Sequence, residues 1–125
     1  MKQGTVIKAY KALLNISEQS LPLNLSYKVF KLKRMLQPCW DFQLEKEREI
    51  FTKYTPESVD GSNFKFDTPE KTKAFKESFD ELADMDTDVE FQPIIIQISD
   101  KFNVSVNEIE ALDGFVIFEG EGAEA

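Results

Sequence analysis

The chain has 125 residues, 42% of them hydrophobic, with eleven Phe, one Cys, no His and a net charge of −8. That length suits one domain with a genuine apolar core, in which aromatic packing is expected to dominate. The missing imidazole excludes the usual general base near neutral pH, Ser-His and Cys-His nucleophile pairs and the commonest zinc ligand. The longest apolar run, around Ile94-Ile95-Ile96, falls far short of the roughly 20 residues that span a membrane.

Taken in chain order, Thr5 offers an N-cap, and Val6, Ile7, Tyr10, Leu13 and Leu14 recur at the spacing of one helix face that ends near Asn15. Residues 21–25 alternate like an edge strand or an extended connection, since Pro22 interrupts any ladder. From Ser26, a second N-cap, Val29, Leu32 and Leu36 line a helix, and Trp40, Leu44, Phe51 and Tyr54 continue it beyond Pro38. The pattern allows one long helix kinked at Pro38 or two helices meeting there, with Glu45/Arg48 and Glu49/Lys53 spaced to support an exposed face. Thr55-Pro56 and the run Asp60-Gly61-Ser62-Asn63 predict a loop, followed by an alternating Phe64-Lys65-Phe66.

Thr68, with Pro69 at the first helical position, opens the clearest helix, which buries Phe75, Phe79 and Leu82 and stops between Asp84 and Asp86. Val89, Phe91 and the residues 94–98 are rich in β-branched side chains and predict one strand or two short ones, broken at Pro93. Ser105 and Glu108 fit a capping box for a helix over 106–113, with Gly114 at its C-terminal end and a last strand over 115–118. The expected fold class is α+β, helix-rich, with a kinked or split long helix and a small, mainly antiparallel sheet. One such domain covers residues 1–118, and 119–125 form a flexible acidic tail.

Charge divides along the chain. Residues 1–54 carry ten Lys or Arg and five Asp or Glu, giving +5; the remainder carry five and eighteen, giving −13. The simplest expectation is that opposite charges meet inside the fold. Failing that, two surfaces stand out as partner-binding candidates: Lys28, Lys31, Lys33 and Arg34 with Tyr27 and Phe30, and the carboxylates Asp80, Asp84, Asp86, Asp88 and Glu90. Read as a calcium loop from Asp84, the carboxylates fail, because Val89 stands where Gly belongs and Ile95 where Glu belongs. A solvated acidic turn is therefore expected, with no metal and no other cofactor. The glycines form neither a P-loop nor a dinucleotide fingerprint. Nucleic acid is not the expected partner, since the −13 half repels it. Cys39, without an intrachain partner, reads as a small packing residue of a reducing compartment.

Residues 21–28 (Leu-Pro-Leu-Asn-Leu-Ser-Tyr-Lys), the helix through Glu47 to Tyr54, and residues 104–112 with Phe115 resemble a family of small phage and prophage proteins of unknown function. Pro38 with Cys39-Trp40 departs from the uninterrupted helix of that family. The resemblance implies a phage origin and a place in the cytoplasm of a bacterial host, but no catalytic residue. The expected role is that of a non-enzymatic accessory protein that binds a protein partner and modulates a host process, with self-association left open and no membrane contact. A virion or assembly component is the alternative, and a carboxylate-dependent metal-using hydrolase a weaker one.

Overall fold

The computed structural model describes residues 1–54, 58–60, 63–65, 68–97 and 103–120. Its elements in chain order are α1 (Gln3–Ser17), α2 (Leu23–Tyr54), β1 (Ser58–Asp60), β2 (Asn63–Lys65), α3 (Pro69–Asp84), β3 (Ile94–Gln97), α4 (Val106–Ala111) and β4 (Val116–Glu119). The turn expected at Gly61-Ser62, together with Phe66, Ile98 and residues 121–125 of the expected tail, lies outside the described residues. Glu119, assigned to that tail, instead pairs with Gln97 in β4.

The α+β class with a mainly antiparallel sheet does not hold. The fold is dominated by helix, and the strands that reach the core, β3 and β4, pair in parallel with Ile94 opposite Val116 and Gln97 opposite Glu119. The reason is the connection. A parallel pair needs a crossover, and the segment carrying α4 takes the chain back to start β4 at the same end as β3. The antiparallel pair β1–β2 is a separate two-stranded unit with Val59 opposite Phe64.

Helix α1 starts at Gln3 instead of after Thr5, because Lys2 already accepts from Thr5 and Val6 through its carbonyl. Ser26 likewise lies inside the first turn of α2, where its N–H reaches the Pro22 carbonyl at 2.9 Å. Between these starts the chain turns back, so α1 and α2 run antiparallel, with Tyr10 stacked on Trp40 at 4.7 Å and Gln3 touching Cys39. Of the two alternatives at Pro38, one continuous helix is adopted. Proline removes the hydrogen bond to the carbonyl four residues back, that of Arg34. Both residues are exposed, so water can serve that carbonyl.

Helix α3 keeps the start read from the sequence, with Thr68 Oγ1 accepting from the Lys71 N–H at 3.2 Å and Pro69 behind it. It packs on the second half of α2 through Phe51, Phe75 and Phe79, and on α1 where Gly4 meets Ala83. A Cβ on Gly4 would stand 3.1 Å from the Ala83 Cβ, a tight contact that α3 could relieve only by shifting a few tenths of an ångström. The capping box of α4 also forms: Glu108 N–H donates to Ser105 Oγ, and Ser105 N–H to the Glu108 carboxylate.

The core is aliphatic, contrary to the aromatic expectation. Val6, Leu13, Ile16, Leu25, Leu32, Leu36, Ile96 and Leu112 fill it, and among the described phenylalanines only Phe75 and Phe115 are buried. The others sit at its margins: Phe91 stacks on Phe115 at 4.7 Å, and Phe30 faces solvent.

Candidate functional site

The first surface arises from two apolar stripes on one helix. Leu25, Val29, Leu32 and Leu36 are buried, and the spacing of an α-helix puts them on the face that meets α1. On the opposite side Leu23, Tyr27 and Phe30 recur at intervals of four and three and are 85%, 59% and 51% exposed. Lys31 lies over the Tyr27 ring and Arg34 over the Phe30 ring, each 5.5 Å from the ring centroid. These cation–π contacts hold the cations against the rings while leaving their outer faces open.

The four basic residues proposed from the sequence do not form one patch. Lys31 and Arg34 share the outer stripe, but Lys28 turns toward the sheet and donates to the Ile95 carbonyl at 2.8 Å. Lys33 borders a separate depression with Ser17, Gln19, Leu21 and Val29. A continuous cationic track of the kind that follows a phosphate backbone is thus divided.

The acidic candidates, by contrast, come together. Residues 87–92 follow the bridge at Asp86 without helix or turn, and burial alternates along them as in an extended chain: Asp86, Asp88, Glu90 and Gln92 are exposed while Thr87, Val89 and Phe91 are partly buried. Asp80 and Asp84 join Glu77 and Glu81 on one face of α3, around a depression of about 420 Å³ that Met85 closes. Met85 also lines a groove of about 500 Å³ between α2 and the extended segment, walled by Met35, Pro38 and Phe42 and edged by Asp86, Asp88 and Glu90. Gln3 belongs to the same groove. Its Nε2 donates to the Cys39 carbonyl at 2.9 Å and to Gln43 Oε1 at 3.3 Å, yet its own Oε1, fully buried, has no hydrogen-bond partner among the described residues.

Between the basic and the acidic stretch of sequence, no ion pair is seen among the described residues. The ion pairs seen among the described residues, Lys46–Glu49 at 2.9 Å and Lys73–Glu77 at 3.9 Å, each lie within one helix. Lys46 is held charged to higher pH by its hydrogen bond and attraction to Glu49. Asp80, Asp84, Asp86, Asp88 and Glu90 have no cationic partner among the described residues, and the Lys2 ammonium goes to the Asp84 backbone carbonyl, not to its carboxylate.

No family model, curated protein or solved structure matches the chain. The site must therefore be read from its own geometry. Among the described residues no three of His, Cys, Asp or Glu converge as metal ligands, because the carboxylates lie in a row along a segment and a helix. Cys39 is buried, with its Sγ 3.4 Å from Thr87 Oγ1. Among the described residues no helix is long and apolar enough to cross a membrane.

Sequence reasoning named Tyr27 and Phe30 only as companions of the lysines and missed Leu23, Met35, Phe42, Met85 and Gln3. The outer stripe did leave a signal: Leu23, Tyr27, Phe30 and Arg34 repeat at helical spacing, out of phase with Leu25, Val29, Leu32 and Leu36. The groove left none, since Gln3, Met35 and Met85 are brought together only by the packing of three distant segments.

Proposed function

We propose that this chain is a non-enzymatic protein-binding domain, and that the outer face of α2 is a primary contact surface. The observation that carries this reading is the row Leu23, Tyr27 and Phe30, three large apolar side chains open to solvent on one helix face, with Lys31 and Arg34 against the rings. Aromatic residues and Arg are the side chains that dominate binding energy at protein interfaces, and holding them in place beforehand lowers the entropy lost on association. Nothing in the core requires these side chains to be apolar. In the phage setting that the sequence resemblance implies, the partner is a host protein, met in the cytoplasm.

The test is affinity capture from bacterial lysate on the immobilised chain, identification of what is retained, and calorimetry with the purified partner. Tyr27→Ala and Phe30→Ala are each expected to weaken that binding by about tenfold or more, as for interface hot spots, without changing the melting temperature. Retention of nothing at any salt concentration, or unchanged affinity for both variants, overturns the proposal. Self-association through the same stripe, the assembly-component alternative, would appear as a concentration-dependent mass in light scattering that Tyr27→Ala abolishes.

A further inference from the structure

The acidic groove is a different surface with its own chemistry, and it goes beyond the α2 face, sharing with it only the premise that the chain binds proteins. We infer that the groove between α2 and residues 85–90 takes an extended basic segment of a partner protein, bound by strand addition along residues 88–91.

The backbone supplies the first argument. The extended segment begins as a strand partner of the N-terminus: Gln3 N–H donates to the Met85 carbonyl at 2.8 Å and Thr87 N–H to the Met1 carbonyl at 2.9 Å. Beyond Thr87 that pairing stops. None of the backbone N–H or C=O groups of residues 88–91 bonds to another described group, although the segment keeps its extended alternation. Such an edge is a template for another strand. Alternate amides of an extended chain point to the same edge. Gln92 N–H reaches Met35 Sδ at 3.4 Å, so the amides of Asp88 and Glu90 share the edge that faces α2 and the groove.

The side chains supply the second. Asp86, Asp88 and Glu90 edge the groove without a cationic partner among the described residues, whereas Met35, Pro38, Phe42, Met85 and Val89 provide an apolar wall. Methionine adapts its shape to varied side chains, which suits a groove that grips by backbone. A strand laid here would turn alternate residues toward the carboxylates and toward the wall, so the fitting sequence alternates Lys or Arg with apolar residues. Gln3 lines the same groove, and its buried Oε1 has no donor among the described residues, which is costly and is the kind of group that a ligand N–H or ammonium supplies. The −13 charge of residues 55–125 attracts such a segment from a distance.

The experiment uses the full chain and a fluorescent peptide of Lys-Val repeats, followed by anisotropy, with amide hydrogen exchange read by NMR. The peptide is expected to bind and to slow exchange at Asp88 and Glu90. A version N-methylated at alternate residues, which keeps the charge but cannot pair, is expected to bind at least about tenfold more weakly, as is the wild-type peptide to the triple variant Asp86→Asn, Asp88→Asn, Glu90→Gln. A Glu-Val peptide is expected not to bind. Tyr27→Ala with Phe30→Ala is expected to leave the affinity unchanged, which separates this groove from the α2 face. Absence of binding at about 1 mM peptide, equal binding of the N-methylated version, or protection at residues 27–34 instead of 88–90 overturns the inference.

Discussion

Gln3 offers the most direct test of the groove, because its two ends are treated differently by the fold. The side chain is fully buried at the first residue of α1, and its Nε2 has two acceptors, but Oε1 has no donor among the described residues. Gln3→Met keeps the length and removes both ends. Losing two neutral hydrogen bonds costs about 0.5–1.5 kcal/mol each, while removing a buried unsatisfied acceptor returns about 1–3 kcal/mol. The Cys39 carbonyl is not orphaned by the change, since it lies inside α2 and also serves the helical ladder. The opposing terms are of equal size, but the change leaves the buried Gln43 Oε1 without its donor, so Gln3→Met is expected to cost about 1–3 kcal/mol. Gln3→Ala removes the same groups and also leaves a cavity, at a further cost of about 2 kcal/mol or more. Urea unfolding of the two variants, compared at unchanged m-value, measures the difference. A Gln3→Met cost as large as that of Gln3→Ala would mean that Oε1 is satisfied in solution, and the open acceptor would be struck from the account of the groove.

Pro38→Ala is expected to stabilise the chain by roughly 2 kcal/mol, since an interior helical Pro costs about 3 kcal/mol and the entropy it removes from the unfolded chain returns only about 0.4–1 kcal/mol. A lower urea midpoint for that variant would show that the break serves packing. Ser105→Ala, which removes the Oγ acceptor of the Glu108 N–H, is expected to cost about 1 kcal/mol, read from the melting temperature. Tyr10 is held above its ordinary pKa of 10.0 by burial and then by the nearby Asp41 charge. Its folded value is raised, so the stability it contributes is present below pH 10 and is lost as pH rises through the folded value. Tyr10→Phe is expected to lessen the alkaline fall in urea midpoint, and parallel curves for the two proteins would refute the assignment.

The elements that sequence reasoning placed correctly are those with local chemistry. Thr68-Pro69 and Ser105 with Glu108 define helix starts through contacts three residues apart, so the cap can be read without knowing the fold. Thr5 and Ser26 carry the same kind of side chain, but tertiary pairing of Gln3 with Met85 and the Pro22 carbonyl under Ser26 move those starts earlier. Strand direction was illegible for a related reason. The residues of β3 and β4 show strand composition, and only the return through α4 makes their pairing parallel. The aromatic core failed because abundance does not set position: Leu13, Ile16, Leu32 and Leu36 occupy the narrow space between antiparallel helices, while Phe51, Phe75 and Phe79 form their own cluster where α3 crosses α2. Of the candidate sites, the acidic residues were found together and the basic ones were divided, since alternation along an extended segment gathers neighbours that helical rotation disperses.

Residues 88–91, unpaired among the described residues, lie between two pairings of the chain. Ile94 is the first residue of β3 to join the ladder, its N–H reaching the Phe115 carbonyl at 3.1 Å. On the other strand, Gly114 adopts φ 86° as the chain leaves α4 for β4, a conformation that glycine takes without strain. Among the described residues no strand pairs with residues 88–91, and the pairing with the N-terminal segment is seen only at Met85 to Thr87. The segment is anchored at both ends, by Thr87 to Met1 and by Ile94 to Phe115, with the backbone of its middle bonded to no other described residue. A flexible loop would lose conformational entropy on accepting a strand. This one has already lost it in folding, so a partner strand gains the backbone hydrogen bonds with little further ordering cost.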